Sequence, residues 1–475
     1  MEPEPVEKTL HAAMQLILDF LQENQNSTLR IVDFLPPQQL AEQFDLTIQQ
    51  QGLANHQALI PLLHAYLQHS VKTGHPQFCN QLFAGFNFPA FLGEVFTALT
   101  NTSMYTYEVA PLATLMERFL IEKMGKLAGF TNHDGIFSSG GSNSNLIAML
   151  CARQQRFPHI KQLGNSNAPP LVCLVSDQAH YSFQRGAMVL GMGLDNLVKV
   201  ASDPQGRMQP AALEAAILHA KAAGKQPFMV AATAGTTVLG AFDPLPQLHA
   251  IARQHGLWFH VDGAFGASVL LSQRWRHHLD GCHLADSLTW DAHKMMNIPL
   301  ISSVILVREP GLLREACGSE GGHYLFHEHD YDVDQFELGR KSLACGRRVD
   351  AMKLWLAWRY YGDLGYAARI DHLFELTAYA KDCILAHPKL TLMVEPQSVT
   401  LCFRYQPDKT VDLDAFTVRL RDRLVRSGDS LVNYSLLQQG VAIRMVFVNG
   451  DMQTSDFDHF LERLLIHAQA LEAEL

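Results

Sequence analysis

A chain of 475 residues with 48% hydrophobic and 18% charged side chains is long enough to bury a large core in two or three lobes, and lies outside the compositions of disordered and disulfide-dense proteins. Its formal charge of −10 argues against a nucleic-acid surface, because phosphate binding needs clustered Lys and Arg that would dominate the balance. No apolar run approaches the roughly 20 residues of a membrane helix, and the opening MEPEPVEKTL carries acids where a secretory signal carries bases, so a cytoplasmic protein engaging neither nucleic acid nor membrane is expected.

Residues 5–25 and 57–72 place apolar side chains three and four apart, the pattern of amphipathic helices, and a helical segment is expected over 1–95. From there to 345 short apolar runs alternate with helices. LVCLVS (171–176), FMVAAT (228–233), LWFHVD (257–262), SLTWD (287–291) and SSVILV (302–307) read as strands. Strand then helix, repeated, predicts an α/β lobe with a mainly parallel sheet covered on both faces. Ligands bind beyond the carboxyl ends of such strands, and three of these runs end in Thr233, Asp262 and Asp291. Residues 346–475 continue with helices, the strands TLCFRY and VAIRMVFV and a last helix, a small α+β lobe.

The eight cysteines have no CxxC or zinc-ligand spacing and read as reduced thiols. The close group His323, His327 and His329 has no HExxH and no cysteine pair beside it, so no metal is expected. The basic RWRHH at 274–278 reads as a solvated helix end.

Three motifs carry chemistry. GIFSSGGSNSNLIAMLCAR passes from apolar residues through a Gly/Ser/Asn turn into a helix from about Ser144; small residues there expose backbone N–H groups to a phosphate, with Ser142 and Asn143 as contacts. Taken alone, a glycine turn with Ser or Asn capping the helix is the commoner reading, since Gly-rich loops are common. LWFHVDGAFGA delivers Asp262 at a strand end, where a buried carboxylate needs a cation or donor; a protonated pyridine nitrogen would serve, and so would a helix N-terminus. In ADSLTWDAHKMM, Lys294 stands between a histidine and two methionines. A desolvated lysine can join an aldehyde as a Schiff base, although a single lysine is more often a solvated surface group. Phosphate turn, strand-end Asp and apolar Lys come in the order that a cofactor enzyme needs.

With HPQFCNQLFAGF, NTSMYTYEVAPLATLME, SDQAHYSFQRGA, ATAGTTVLGAFDP, YLFHEHDYD, ACGRRVDAMKLWLAW and IRMVFVN, these motifs resemble the group II pyridoxal-phosphate decarboxylases, in the branch acting on glutamate, aspartate and cysteine sulfinate; the likeness runs over most of 75–450. The resemblance implies the aspartate aminotransferase-type fold (fold type I), with a seven-stranded sheet in a large domain (96–345) and a small C-terminal domain (346–475). It implies pyridoxal 5′-phosphate on Lys294, Asp262 at its ring nitrogen, His180 on the ring face and Thr233 by the ring hydroxyl. Ser142, Asn143 and His293 fall near the phosphate, and Asp291 joins the cofactor side. Arg444 is implied to bind the substrate α-carboxylate, with Gln81, Phe83 and Tyr105 on the substrate side. Tyr331, in the glycine-containing loop after 317, is implied to protonate the carbanion from a neighbouring subunit, which makes the enzyme a homodimer with shared sites; its hydroxyl favours decarboxylation over aldehyde formation.

The chain departs from the family pattern in two places. Asp291 and Ala292 replace the usual Asn and Pro before the His-Lys pair, which brings a carboxylate near the expected phosphate. After HVD, Gly263, Phe265 and Ala267 stand where the family has Ala, Trp and Gly. A bulky Phe83 shortens the pocket, so the expected substrates are aspartate or cysteine sulfinate, giving β-alanine or hypotaurine, with glutamate third. A non-acidic amino-acid decarboxylase, an aldehyde synthase of the same fold and a non-catalytic scaffold remain as alternatives.

Overall fold

The apolar runs pair as strands because nearly every residue in them is buried on both faces, which only a sheet packed between helices allows. The structure, a computed structural model, describes residues 6–166, 168–319 and 333–474. Its larger sheet has seven strands: β1 (Asp134–Ser138), β2 (Leu171–Ser176), β3 (Leu197–Val200), β4 (Gln226–Thr233), β5 (Trp258–Asp262), β6 (Ser287–Asp291) and β7 (Ser303–Val307). Their spatial order is β1-β7-β6-β5-β4-β2-β3. The pairs from β3 through β6 are parallel, and β7 runs antiparallel to both β6 and β1. This is the expected α/β class, with β1 and β3 added to the strands read from sequence.

Register brings the polar strand ends together. Thr233 pairs with Asp262 across β4 and β5, Asp262 with Thr289 across β5 and β6, and Asp291 with Ser303 across β6 and β7. One flanking helix, Gly141–Arg156, turns Ile147, Ala148, Cys151 and Ala152 toward a core that includes Cys173, Val175, Phe183, Ile305 and Val307. It begins three residues before the Ser144 start read from sequence.

A second sheet, ordered β10-β11-β9-β8, comprises β8 (Leu390–Val394), β9 (Thr400–Tyr405), β10 (Asn433–Leu437) and β11 (Gly440–Val446). Only β9 and β11 had been read as strands. β10 alternates between half-buried and exposed positions, so its apolar content is too low to stand out.

The chain divides into two compact units drawn from discontinuous stretches: 1–85 with 378–393 and 401–475, and 86–377 with 394–400. The boundaries expected from sequence lie at 95 and 345. In the structure the N-terminal helices cluster with the C-terminal sheet, and the first part of the Asp350–Ala386 helix, broken at Gly362 where φ is 66°, clusters with the seven-stranded sheet. Among the described residues no helix is long and apolar enough to cross a membrane.

Candidate active site

Each strand-end group sits where its own sequence puts it, at the last residue of β4, β5 or β6. Asp262 is 4% exposed and fully engaged on its inner side. Its Oδ2 accepts from Asn145 Nδ2 at 2.8 Å and its Oδ1 from the Ala264 N–H at 3.1 Å. Asp291, 1% exposed, is engaged differently. Its Oδ2 lies 3.2 Å from Lys294 Nζ and 3.6 Å from His293 Nε2, while its Oδ1 is buried without a hydrogen-bond partner. Thr233 Oγ1 is likewise buried and unpartnered. These two buried polar atoms without partners, at strand ends on either side of β5, have hydrogen-bonding capacity that a ligand could use.

The glycine turn closes against Asp291. Gly140 has φ 114°, a conformation side chains resist, and a methyl on Gly141 would fall 2.6 Å from Asp291 Oδ2. The helix that starts there has no capping side chain. At its first turn the Ser or Asn cap that the sequence also allowed is therefore not made, while the Asn143 and Ser144 N–H groups donate to Gly140 O. Ser142 and Asn143 lie in that first turn, and Asn143 also lines a cleft of about 530 Å³ with Ser138, Ile301, Arg347 and Lys353.

His180 is half-buried after β2, with its ring centroid 4.2 Å from that of Tyr181. Its Nδ1 accepts from the Ser182 N–H at 3.2 Å, so the proton of the neutral ring sits on Nε2. Burial pulls its pKa below the usual histidine range, against the opposing charge of Asp262; the charges of Lys294 and Asp291 also reach it. Lys294, Asp262, Asp291 and His180 thus share one electrostatic neighbourhood. Burial lowers the His293 pKa too, opposed by Asp291, and its Nδ1 lies 2.8 Å from Ser302 O.

Tyr105 is half-buried; its carbonyl oxygen accepts from the Gly339 N–H at 2.9 Å, and its ring leaves no room for a side chain at 339. In the other unit, Arg444 on β11 is 6% exposed and donates from Nη2 to Asn80 O at 2.9 Å. Burial disfavours its charge, the state in which an anion is most strongly bound. The solvated outward position that strand alternation allowed is not the one it takes. Following Asn80 in sequence, Gln81 is exposed and Phe83 is half-buried, its ring 5.7 Å from that of Phe78. Tyr331, with His323, His327 and His329, lies outside the described residues.

Two residues that the sequence reading passed over are central. Asn145, four residues after Gly141, is the donor to Asp262, and His260, two residues before Asp262 on the same face of β5, lies 3.1 Å from Asn145 Oδ1. The signal available was period two on the strand: a polar residue at i−2 from the site carboxylate shares its face.

A model of the pyridoxal-dependent decarboxylase conserved domain matches residues 37–406. The human cysteine sulfinic acid decarboxylase is 38% identical over 475 residues, covering 98% of this chain and 96% of that protein. The acidic amino acid decarboxylase GADL1 of Xenopus tropicalis is 37% identical over 446 residues, covering 92% of this chain and 87% of that protein. The crystal structure of mouse CSAD superimposes with a TM-score of 0.94 at 39% identity, covering 98% of this chain and 99% of that one.

Proposed function

Because the chain belongs to the pyridoxal-dependent decarboxylase family, we propose that it removes the α-carboxylate of a small acidic amino acid, cysteine sulfinate or aspartate ahead of glutamate. The observation that carries this reading is the meeting, at one end of the sheet, of Lys294, the braced carboxylate of Asp262 and two buried oxygens without partners, Thr233 Oγ1 and Asp291 Oδ1. The acidic substrate is supported by the named activities of the human and Xenopus relatives.

The residues present fit pyridoxal 5′-phosphate. When bound, the cofactor supplies an electron sink conjugated to the substrate Cα. Lys294 would hold its aldehyde carbon, and Asp262 would hold a proton on the ring nitrogen. Thr233 Oγ1, unpartnered, would meet the ring hydroxyl, and His180 would lie on the ring face. Ser142, Asn143 and His293, with the uncapped helix start, would hold the phosphate. Once Lys294 holds the aldehyde, Asp291 would give up that pairing and keep His293 as its neighbour, so its repulsion of a phosphate would be only partly offset. Arg444 would bind the α-carboxylate through a paired, directional contact and so set the angle of the bond to be broken. Phe83, with Gln81 and Tyr105, would limit side-chain length, and Tyr331 would return a proton to Cα.

A homodimer with shared sites follows from this role of Tyr331. Its support is two apolar rows on the seven-stranded unit that face solvent: Phe88, Leu92, Phe96 and Leu99 on the Phe88–Thr100 helix, and Leu112, Leu115 and Phe119 on the Pro111–Leu127 helix. All eight cysteines are unpaired, which suits a reducing, cytoplasmic setting.

The reading is tested by carbon dioxide release from purified, cofactor-loaded protein offered cysteine sulfinate, aspartate, glutamate and an aromatic amino acid side by side, with Lys294→Ala as control. Turnover of the first two that vanishes in the variant is expected. Release only from the aromatic substrate, or none at all with cofactor bound, overturns the acidic-substrate reading.

A further inference from the structure

Behind Asp262, Asn145 and His260 belong to a larger set of buried polar groups. His260 and Asp262 share a face of β5, and their register partners on β6 are Ser287 and Thr289. Asn145 reaches into the same layer from the Gly141–Arg156 helix. Asn145, His260, Ser287 and Thr289 are each at most 1% exposed. In such a place every donor and acceptor must be matched from within the protein.

They are matched in one way only. Asp262, as a carboxylate, can only accept, so the amide that faces it across 2.8 Å is Asn145 Nδ2, which also donates to Ser182 Oγ at 2.9 Å. Asn145 Oδ1 therefore faces the other way and accepts from Thr289 Oγ1 at 2.8 Å and from His260 Nε2 at 3.1 Å. That fixes the imidazole proton on Nε2 and leaves Nδ1 bare, to accept from the Ser287 hydroxyl at 2.8 Å. Ser287 Oγ in turn accepts from Trp258 Nε1, a group that can only donate, at 2.9 Å. Burial lowers the His260 pKa to about 4, so the ring holds one proton at neutral pH and the chain has a single polarity from Trp258 to Asp262.

We propose that His260 and Asn145 are positioning residues for the decarboxylation: a hydrogen-bond relay of fixed direction that orients the Asp262 carboxylate and keeps it an acceptor toward the cofactor ring nitrogen. The proposal rests on the reading of Asp262 as the partner of that nitrogen. The relay stops the Asn145 amide from flipping, since a flip would turn a carbonyl oxygen onto the carboxylate and an N–H₂ onto the His260 N–H. It fixes the carboxylate before cofactor arrives, so none of the binding energy goes into orienting it.

The test compares His260→Leu, His260→Gln and Asp262→Asn. Purified apoprotein of each is titrated with pyridoxal phosphate, reading the dissociation constant and the absorption maximum of the bound cofactor, with thermal midpoints to confirm folding. Leucine removes both ring contacts; glutamine can still accept from Ser287 and donate to Asn145. His260→Leu is expected to weaken cofactor binding about tenfold, the value of one hydrogen bond acting through a charged group, and to move the absorption band. His260→Gln is expected to restore most of both. A folded His260→Leu protein with unchanged affinity and band, or a glutamine variant no better than leucine, overturns the relay. If Asp262→Asn also leaves affinity and band unchanged, the ring-nitrogen reading itself fails; if Asp262→Asn moves both while His260→Leu moves neither, the relay alone fails. Should the leucine variant not fold, Ser287→Ala takes its place: it lets the imidazole proton move to Nδ1 and present a bare Nε2 to Asn145. The same direction of change is then expected, and no change refutes the proposal.

Discussion

Two strand-end carboxylates stand in this site, and they are held in opposite ways. Asp262 ends β5 with donors on both oxygens and a buried relay behind one of them, whereas Asp291 ends β6 with one oxygen on Lys294 and the other on nothing. Both are almost fully buried, so burial alone does not distinguish them. Neutral donors fixed by the fold make a carboxylate a rigid part of the scaffold. A carboxylate held by a flexible lysine, with an orphaned second oxygen, is instead free to change partners when a ligand takes the lysine. On the proposed chemistry the rigid one faces the ring that must stay still, and the adaptable one lies where phosphate and aldehyde arrive.

The sharpest way to break that contrast is to remove the rigid member. Asp262→Ala would leave the ring nitrogen and the Asn145 amide without their partner, and a buried polar network that loses one charged member costs about 3–5 kcal/mol. If that cost falls on the transition state, kcat/KM drops by about two to four orders of magnitude. Steady-state kinetics at saturating cofactor checks this, and a loss under tenfold would mean that Asp262 only braces the fold.

The contrast was half legible in the sequence. Thr233, Asp262 and Asp291 could be read because an apolar strand that ends in a polar residue is a local pattern, and Lys294 because two methionines follow it. The turn at Gly140 and Gly141 was legible for the same reason. What could not be read is what braces each carboxylate. Asn145 is one of several small polar residues in GGSNSN, and His260 one polar residue in an apolar strand. Their pairing depends on the register of β5 against β6 and on how a helix 115 residues away in sequence packs over both. The same limit hid β8 and β10, which are recognisable as strands mainly through their neighbours, and the grouping of the first 85 residues with the C-terminal sheet.

Asp291 offers a smaller test, in the opposite direction. If its charge persists when phosphate binds, with Lys294 and His293 only partly compensating it, Asp291→Asn removes a repulsion and restores the residue usual in the family. Cofactor affinity is then expected to rise about tenfold, the order of one partly screened charge pair, with little change in thermal midpoint. Fluorescence titration of the apoprotein reads the difference. A weaker affinity in the variant would instead make Asp291 a residue that the cofactor site needs charged.

The smallest effect concerns the turn that follows the rigid carboxylate, where the chain departs from its family without loosening. A methyl on Gly263 would lie 2.9 Å from the Ala267 methyl and 2.9 Å from Leu288 Cδ1, and Ala267 is completely buried. The family has alanine at the first position and glycine at the second, so this chain carries the same methyl at the other end of the turn. Gly263→Ala alone overpacks the site and should cost about 1–3 kcal/mol, while Ala267→Gly alone opens a small void. Since the two methyls compete for one space, the double variant should be more stable than the sum of the single costs predicts, by about 0.5–1 kcal/mol. Denaturant melts of the four proteins measure that coupling. Strict additivity would mean that Leu288 and the backbone carbonyl of Thr289, 3.0 Å from the same point, set the limit at Gly263 rather than Ala267; the tightness at this end of β5 would then come from the sheet itself and not from a methyl exchanged across the turn.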